Sequence, residues 1–240
     1  MQDSLYVSLS SQIALEKRLN TIADNVANAS TIGFRATGVK FEDVVSGTGQ
    51  RSVAFASTGD TFLSGANGGM QETGNPFDFA VKGNAWFGIQ TPSGTIMTRD
   101  GRFSMNQHGE LLSIEGHPVL DAGGAPIQLD PRGGPPKVGA DGALHQGDRQ
   151  VGAIGLFTFD PGVNFTRYGN SGIVPPRAPE PVTDRSDVGV AQGFLENSNV
   201  NPVMEMMRLI QVQRAFENVA AMVRQAGNST DEAIKTLGSK

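Results

Sequence analysis

The chain has 240 residues, 38% of them hydrophobic, with 31 Gly, 13 Pro and no Cys. Its formal net charge of -5, from 19 basic and 24 acidic residues, argues against nucleic acid as a partner, because binding phosphates needs a basic field. The absence of Cys excludes a disulfide framework and any thiolate metal site.

The N-terminal stretch "MQDSLYVSLSSQIALEKRLN" holds its first basic residue at Lys17. A cleaved secretory signal needs a basic region followed by an apolar one, so the expectation is a cytosolic protein or one exported without a cleaved signal. No run approaches the ~20 apolar residues of a membrane span, and no membrane insertion is expected.

Residues 4–29 read as a helix. Leu15, Leu19, Ile22 and Val26 are spaced four, three and four apart, the pattern of a coiled-coil seam. Leu5, Leu9 and Ile13 continue an apolar stripe in shifted phase. Gly33 is placed to end the element, since Gly tolerates positive φ after a helix.

Residues 34–193 have another rhythm. Gly and Pro punctuate short runs such as "FDFAVKG", "AWFGIQT", "GRFSM" and "GAIGLFTF", which read as strands between turns. The portion 45–75 is poor in apolar residues and reads as an extended connector.

Helical periodicity returns at residue 200. Asn201 is placed to cap a helix that begins with Pro202, where proline sacrifices no hydrogen bond. Val212, Ala215, Val219, Met222 and Ala226 form a second seam. "GNS" at 227–229 is expected to break this helix before a short amphipathic piece carrying Ile234 and Leu237.

The pattern predicts an α+β protein whose N- and C-terminal helices pair as a coiled coil around a central all-β domain. The expected divisions are 1–33 with 197–240 as a helical assembly domain, 34–75 as connector and 76–196 as the β-rich domain. A two-helix pair cannot cover a wide stripe unaided, so the remaining apolar residues call for neighbours, such as other copies of the chain.

Catalytic motifs are wanting. His108, His117 and His145 fall in Gly-rich turns without metalloprotease spacing. "GANGG" at 65–69 lacks the Lys-Ser/Thr of a phosphate loop. Asp100, Glu110, Asp121, Asp130, Asp141 and Asp160 sit near turns, where Asp beside Gly is ordinary turn chemistry. No enzyme, metal or cofactor is expected. The rival from another class, a secreted β-rich wall hydrolase, would need a convergent carboxylate pair.

Against this background "TIADNVANASTIGF" resembles the N-terminal signature of bacterial flagellar axial proteins, the rod and hook family, "IANNLANANTTGFK". Ile22, Ala23, Asn25, Val26, Ala27, Asn28, Ala29, Thr31, Gly33 and Phe34 match or nearly match it, with Asp24 in place of Asn and Arg35 in place of Lys. "GNPFDFAVKGNAWFGIQ" and "TRDGRFSMNQHGELLSIEGHPVL" look like the family's central strands. "FLENSNVNPVMEMMRLIQVQRAFENVAAMV" is similar to its C-terminal signature, with Phe216 where Tyr is usual. Three motifs in order cover nearly the whole chain.

The resemblance implies a structural subunit of the periplasm-spanning flagellar rod that assembles helically and transmits torque. Within the family the chain is most similar to proximal rod members, with distal rod members as the alternative. The implied partners are other copies, neighbouring rod proteins and the flagellar type III export apparatus, which needs no cleaved signal. The residues expected to carry assembly are Leu15, Leu19, Ile22, Asn25, Val26, Asn28, Val212, Ala215, Val219 and Met222. Two readings stand for the amides. They bond across to neighbouring subunits or to turn backbone and oppose slippage, or they cap and fray the helix end. The first is preferred for Asn25, which lies deeper in the helix.

Overall fold

The computed structural model describes residues 2–46, 53–139, 141–183 and 187–238, so positions 47–52 of the expected connector lie outside the described residues. The chain mixes helix and strand: two helices at its ends, α1 (Gln2–Ala27) and α2 (Pro202–Gly238), and nineteen short strands among the described residues between them. It divides into two units. One comprises 1–27, 37–62 and 201–240; the other comprises 28–36 and 63–200.

In the first unit α1 and α2 pack against each other. Asn25 near the end of α1 meets Glu205 near the start of α2, so the helices run in opposite directions. Asn201 caps α2 as its sequence suggests: its Oδ1 accepts the Met204 N–H at 3.1 Å, satisfying one of the orphan donors of the first turn. The expected break at 227–229 does not occur, and α2 runs on unbroken to Gly238. One Gly costs a helix only ~1 kcal/mol relative to Ala, and the helix formers Ala226, Glu232, Ala233 and Lys235 flank it. The side chains of Ile234 and Leu237 lie outside the described residues. Two strand pairings accompany the helices, the second of them antiparallel. Thr37–Lys40 lies beside Asp60–Leu63, and Asp43–Ser46 pairs with Val53–Ala56.

α1 ends at Ala27, before Gly33. Asn28 begins a turn in which Thr31 N–H donates to the Asn28 carbonyl at 3.1 Å. Gly33 does hold a positive φ of 69°, but it is not the helix cap. It lies where two backbones touch: a Cβ there would stand 2.3 Å from Asp100 N. Close approach, not helix termination, is the reason for Gly.

The second unit is built on a six-stranded sheet. Its order is Thr166–Tyr168, Gly172–Val174, Gly94–Thr98, Trp86–Thr91, Leu156–Thr158, Glu180–Pro181. Smaller pairings surround it, among them Phe79–Lys82 with Gly189–Gln192 and Met70–Glu72 with Phe194–Glu196. The core contains Phe79, Phe87, Leu111, Val119 and Leu144, all fully or almost fully buried. Phe79 and Phe87 each pack against Phe103 at ring distances of 5.8 and 5.1 Å, favourable tilted or edge-on geometries.

Candidate functional site

The polar centre of the second unit joins segments from both ends of the chain. Strand Phe194–Glu196 pairs with Met70–Glu72, with Glu196 opposite Met70. Beside it runs the segment after α1. Gly33 N–H donates to the Glu196 carbonyl at 2.7 Å, and Asn199 N–H donates to the Phe34 carbonyl at 3.3 Å. The Asn199 amide completes the junction: Oδ1 accepts Ala36 N–H at 2.7 Å, and Nδ2 donates to Ala66 O at 2.7 Å and to Ser64 Oγ at 3.2 Å.

This pairing delivers three charges to one buried spot. Glu196 Oε1 lies 3.1 Å from Arg35 Nη2, and Oε2 lies 2.9 Å from Arg99 Nη1. The three side chains are 2%, 2% and 0% exposed, so this cluster is shielded from screening that would blunt a surface pair. Backbone and amide groups take up further guanidinium donors, while Arg35 Nε and Arg99 Nε stay buried without a hydrogen-bond partner. Arg99 donates to Val81 O at 3.2 Å and to Gly83 O at 2.7 Å. Arg35 donates to Ala66 O and, at 2.6 Å, to Asn67 Oδ1. Gly68 N–H donates to Glu196 Oε1 at 2.9 Å, and it must be Gly, because a Cβ would meet Asn197 O at 1.8 Å.

One carboxylate faces two guanidiniums, which leaves an excess positive charge. The ring of Trp86 answers it, lying 5.6 Å from the Arg35 guanidinium carbon and 5.3 Å from that of Arg99; the negative face of an indole attracts such cations. Burial pushes the Arg99 pKa down to about 10, and that of Arg35 is also lowered by burial, in each case against the opposing attraction of Glu196. Arg99 therefore stays charged at neutral pH. Arg167 closes the edge, stacking 4.3 Å over the Phe34 ring and donating to the Arg35 carbonyl at 2.5 Å.

On the helices, Ile22 and Val212 are buried, each 5% exposed. Leu15, Leu19, Val26, Ala215 and Val219 are half-buried, and Met222 is 64% exposed. Asn25 is buried, and its amide is satisfied within the chain. Nδ2 donates to Thr37 O at 2.9 Å and to Glu205 Oε2 at 3.4 Å, while Oδ1 accepts Thr37 N–H at 2.9 Å. Asn28 is half-buried and accepts the Thr31 hydroxyl at 3.0 Å in the turn.

The scattered carboxylates perform turn chemistry. Asp121, Asp130, Asp141 and Asp160 each accept a backbone N–H two residues on, from Gly123, Arg132, Ala143 and Gly162. Asp100 binds the Arg102 guanidinium, with its Oδ2 at 2.5 Å from Nη2. His117 meets the Tyr168 hydroxyl at 3.2 Å. Among the described residues no three His, Cys, Asp or Glu are grouped to hold a metal ion.

Sequence reasoning missed Arg99, Glu196 and Trp86 as a cluster, and read Arg35 only as a departure from Lys. The available signal was a charge inside an apolar context, as in "FLEN" and "IMTRDG", since charged residues are rarely buried unless paired.

These geometric features coincide with the parts of the chain that comparisons pick out. Residues 5–35 match the family described as flagella basal body rod protein. Residues 80–145 match the flagellar hook protein FlgE/F/G D1 domain, and 191–236 match the flagellar basal body rod FlgEFG protein C-terminal family. The chain is 78% identical to the flagellar basal-body rod protein FlgF of Mesorhizobium japonicum over the whole of both chains. It is 56% identical to FlgF of Rhizobium meliloti over 99% of each. The similarity to the rod protein FlgG of Bacillus subtilis is 28%, over 99% of this chain and 98% of that one.

Proposed function

The chain belongs to the flagellar basal-body rod protein family as a FlgF-like structural rod subunit, and from that premise we propose that it occupies the proximal rod and assembles helically through α1 and α2. In this reading the seam residues Leu15, Leu19, Ile22, Val26, Val212, Ala215 and Val219 hold the two helices together as a coiled coil. The helix pair presents its outer faces to neighbouring rod subunits, and load passes from subunit to subunit along the helices as torque. The ion cluster of Arg35, Arg99 and Glu196 fixes where the chain enters and leaves its strand-rich unit. Mispairing would strand buried charge, which costs several kcal/mol per ion.

The observation that carries the assembly reading is the apolar surface left on the helices. Leu9, Ile13, Val203, Met207 and Ile210 are 50%, 49%, 65%, 53% and 50% exposed. Apolar side chains gathered in this way mark interaction sites. Export through the flagellar type III apparatus without a cleaved signal, and a position spanning the periplasm, belong to the same proposal. No helix among the described residues is long and apolar enough to cross a membrane. Catalysis has no part in this role.

The test is to replace the chromosomal copy with an epitope-tagged one, isolate basal bodies and locate the tag. The label is expected in the rod, at its membrane-proximal end, and deletion is expected to abolish swimming. A label that fractionates away from basal bodies, or full motility in the deletion strain, overturns the proposal.

A further inference from the structure

Asn67–Gly68 is the only Asn-Gly step in the chain, and the fold calls for each residue on separate grounds. Gly68 cannot carry a Cβ, which would stand 1.8 Å from Asn197 O. Asn67 supplies the neutral oxygen that Arg35 Nη2 reaches at 2.6 Å. Together they make a chemically reactive dipeptide. The Gly68 nitrogen, once it has lost its proton, can attack the Asn67 side-chain carbonyl carbon, and the missing β-carbon leaves the backbone free to adopt that approach. Asn67 is exposed, so water reaches it.

The reaction balances without any partner but water. The new bond from Gly68 N to Asn67 Cγ closes a five-membered succinimide. The Cγ–Nδ2 bond breaks, and ammonia leaves with one proton in place of the one that Gly68 lost. Water then opens the ring and returns a proton to the nitrogen. Opening at Cγ gives aspartate at 67; opening at the backbone carbonyl carbon gives isoaspartate, with the main chain rerouted through the side chain.

In the folded chain both reacting groups are tied down. The Gly68 N–H donates to Glu196 Oε1 at 2.9 Å, and the Asn67 amide is fixed by Arg35. Glu196 and Arg35 are themselves joined at 3.1 Å, each side chain 2% exposed. Loss of the Gly68 proton would set an anion beside a buried carboxylate, and a like charge that close disfavours ionisation. We infer that Asn67 is a modification site governed by the ion cluster: closed to deamidation while Arg35 and Glu196 hold the loop, and open to it whenever the two ends of the strand-rich unit are apart. The isoaspartyl product is one-way. It lengthens the main chain by one carbon, ~1.5 Å, between the Arg35 contact and the Gly68 contact, so the two no longer fit together. A chain that lingers unjoined thus loses the ability to join, and the cluster sets a time limit on folding.

The test follows residue 67 by peptide mass, with isoaspartate detected by isoaspartyl methyltransferase labelling. Purified full chain is incubated at mildly alkaline pH in native buffer and in urea, beside a synthetic peptide of residues 61–73. Native chain is expected to deamidate at Asn67 roughly ten- to a hundredfold more slowly than the peptide, the factor set by one charge-assisted hydrogen bond; urea should restore the peptide's rate. Folded Arg35→Lys and Glu196→Gln chains should react faster than the parent at Asn67, while the exposed Asn170 keeps its rate in all three. Isoaspartyl chains should stay without the parent melting transition when urea is diluted away. A native rate equal to the peptide's overturns the inference, and so does a faster one, which would mean that Glu196 takes the Gly68 proton. Folded variants that react as slowly as the parent, or isoaspartyl chains that regain the parent transition, overturn it as well. Should neither variant fold, the comparison of native chain with peptide still decides.

Discussion

Arg35 and Glu196, drawn from opposite ends of the strand-rich unit, meet at 3.1 Å with each side chain only 2% exposed. The carboxylate also holds Arg99, so it is the shared partner on which two buried guanidiniums depend. Their attraction does not by itself guarantee a large net stabilisation, because desolvating three ions offsets much of it. Removal of the shared partner is the costly event.

Glu196→Gln keeps the shape and deletes the charge. Breaking a buried pair typically costs ~3–5 kcal/mol, and here two cations are stranded together. The expected result is a fall of that size in unfolding free energy, measured by urea denaturation followed by circular dichroism. Arg35→Lys keeps the charge but loses the forked contacts to Ala66 and Asn67, and should cost only about 1–2 kcal/mol. Equal losses for the two variants would mean that the charge is not what matters.

Gly33→Ala introduces a methyl group into the backbone of Asp100, 2.3 Å from its nitrogen, at a φ of 69°. The left-handed conformation alone costs a side chain ~1–2 kcal/mol, and relief of the clash requires the two segments to separate. A loss above ~2 kcal/mol is expected in the strand-rich unit. If Gly33 merely ended α1, the variant would instead change helix content and leave the strand-rich transition where it was.

Asn25→Ala takes both bonding partners from the Thr37 backbone at once. An unsatisfied buried group costs ~1–3 kcal/mol. The Thr37 amide should exchange its hydrogen faster than in the parent protein, by native-state exchange read with mass spectrometry. Asn25→Asp should be no better, since it restores the acceptor but removes the donor and sets a carboxylate beside Glu205.

Val219→Asp places a charge on the half-buried face of α2. Such a charge costs several kcal/mol even after relaxation. The strand-rich unit should keep its melting transition, while rod incorporation and swimming in soft agar should be lost. The exposed Gln213→Ala should leave both intact. Normal swimming of the Val219 variant would mean that α2 does not pack along its predicted seam.

The parts of this fold that are legible in the sequence are those governed by neighbours in the chain. Asn201 and Pro202 announce a helix start because capping is decided within four residues. Asp121, Asp130, Asp141 and Asp160 read as turn residues because an Asx turn closes over two. Gly33 misleads for the same reason: its positive φ suits a helix cap, yet what demands Gly is the backbone near Asp100, far along the chain. Gly227 reads as a break, but one weak residue among good helix formers does not outweigh a continuing helix. The Arg35–Glu196–Arg99 cluster is the least legible feature. Each member looks like an ordinary surface charge until the strand pairing of Glu196 with Met70 brings the ends together.

Trp86 is the only tryptophan in the chain, and it rests within 5.6 Å of two guanidinium carbons that hold the ends of the strand-rich unit together. The excited indole is sensitive to fixed charge nearby, so each subunit contains a single native indole, set beside this cluster. Its emission spectrum is therefore a label-free optical readout of whether a given molecule has its two ends joined, in solution, during refolding or within an assembled rod.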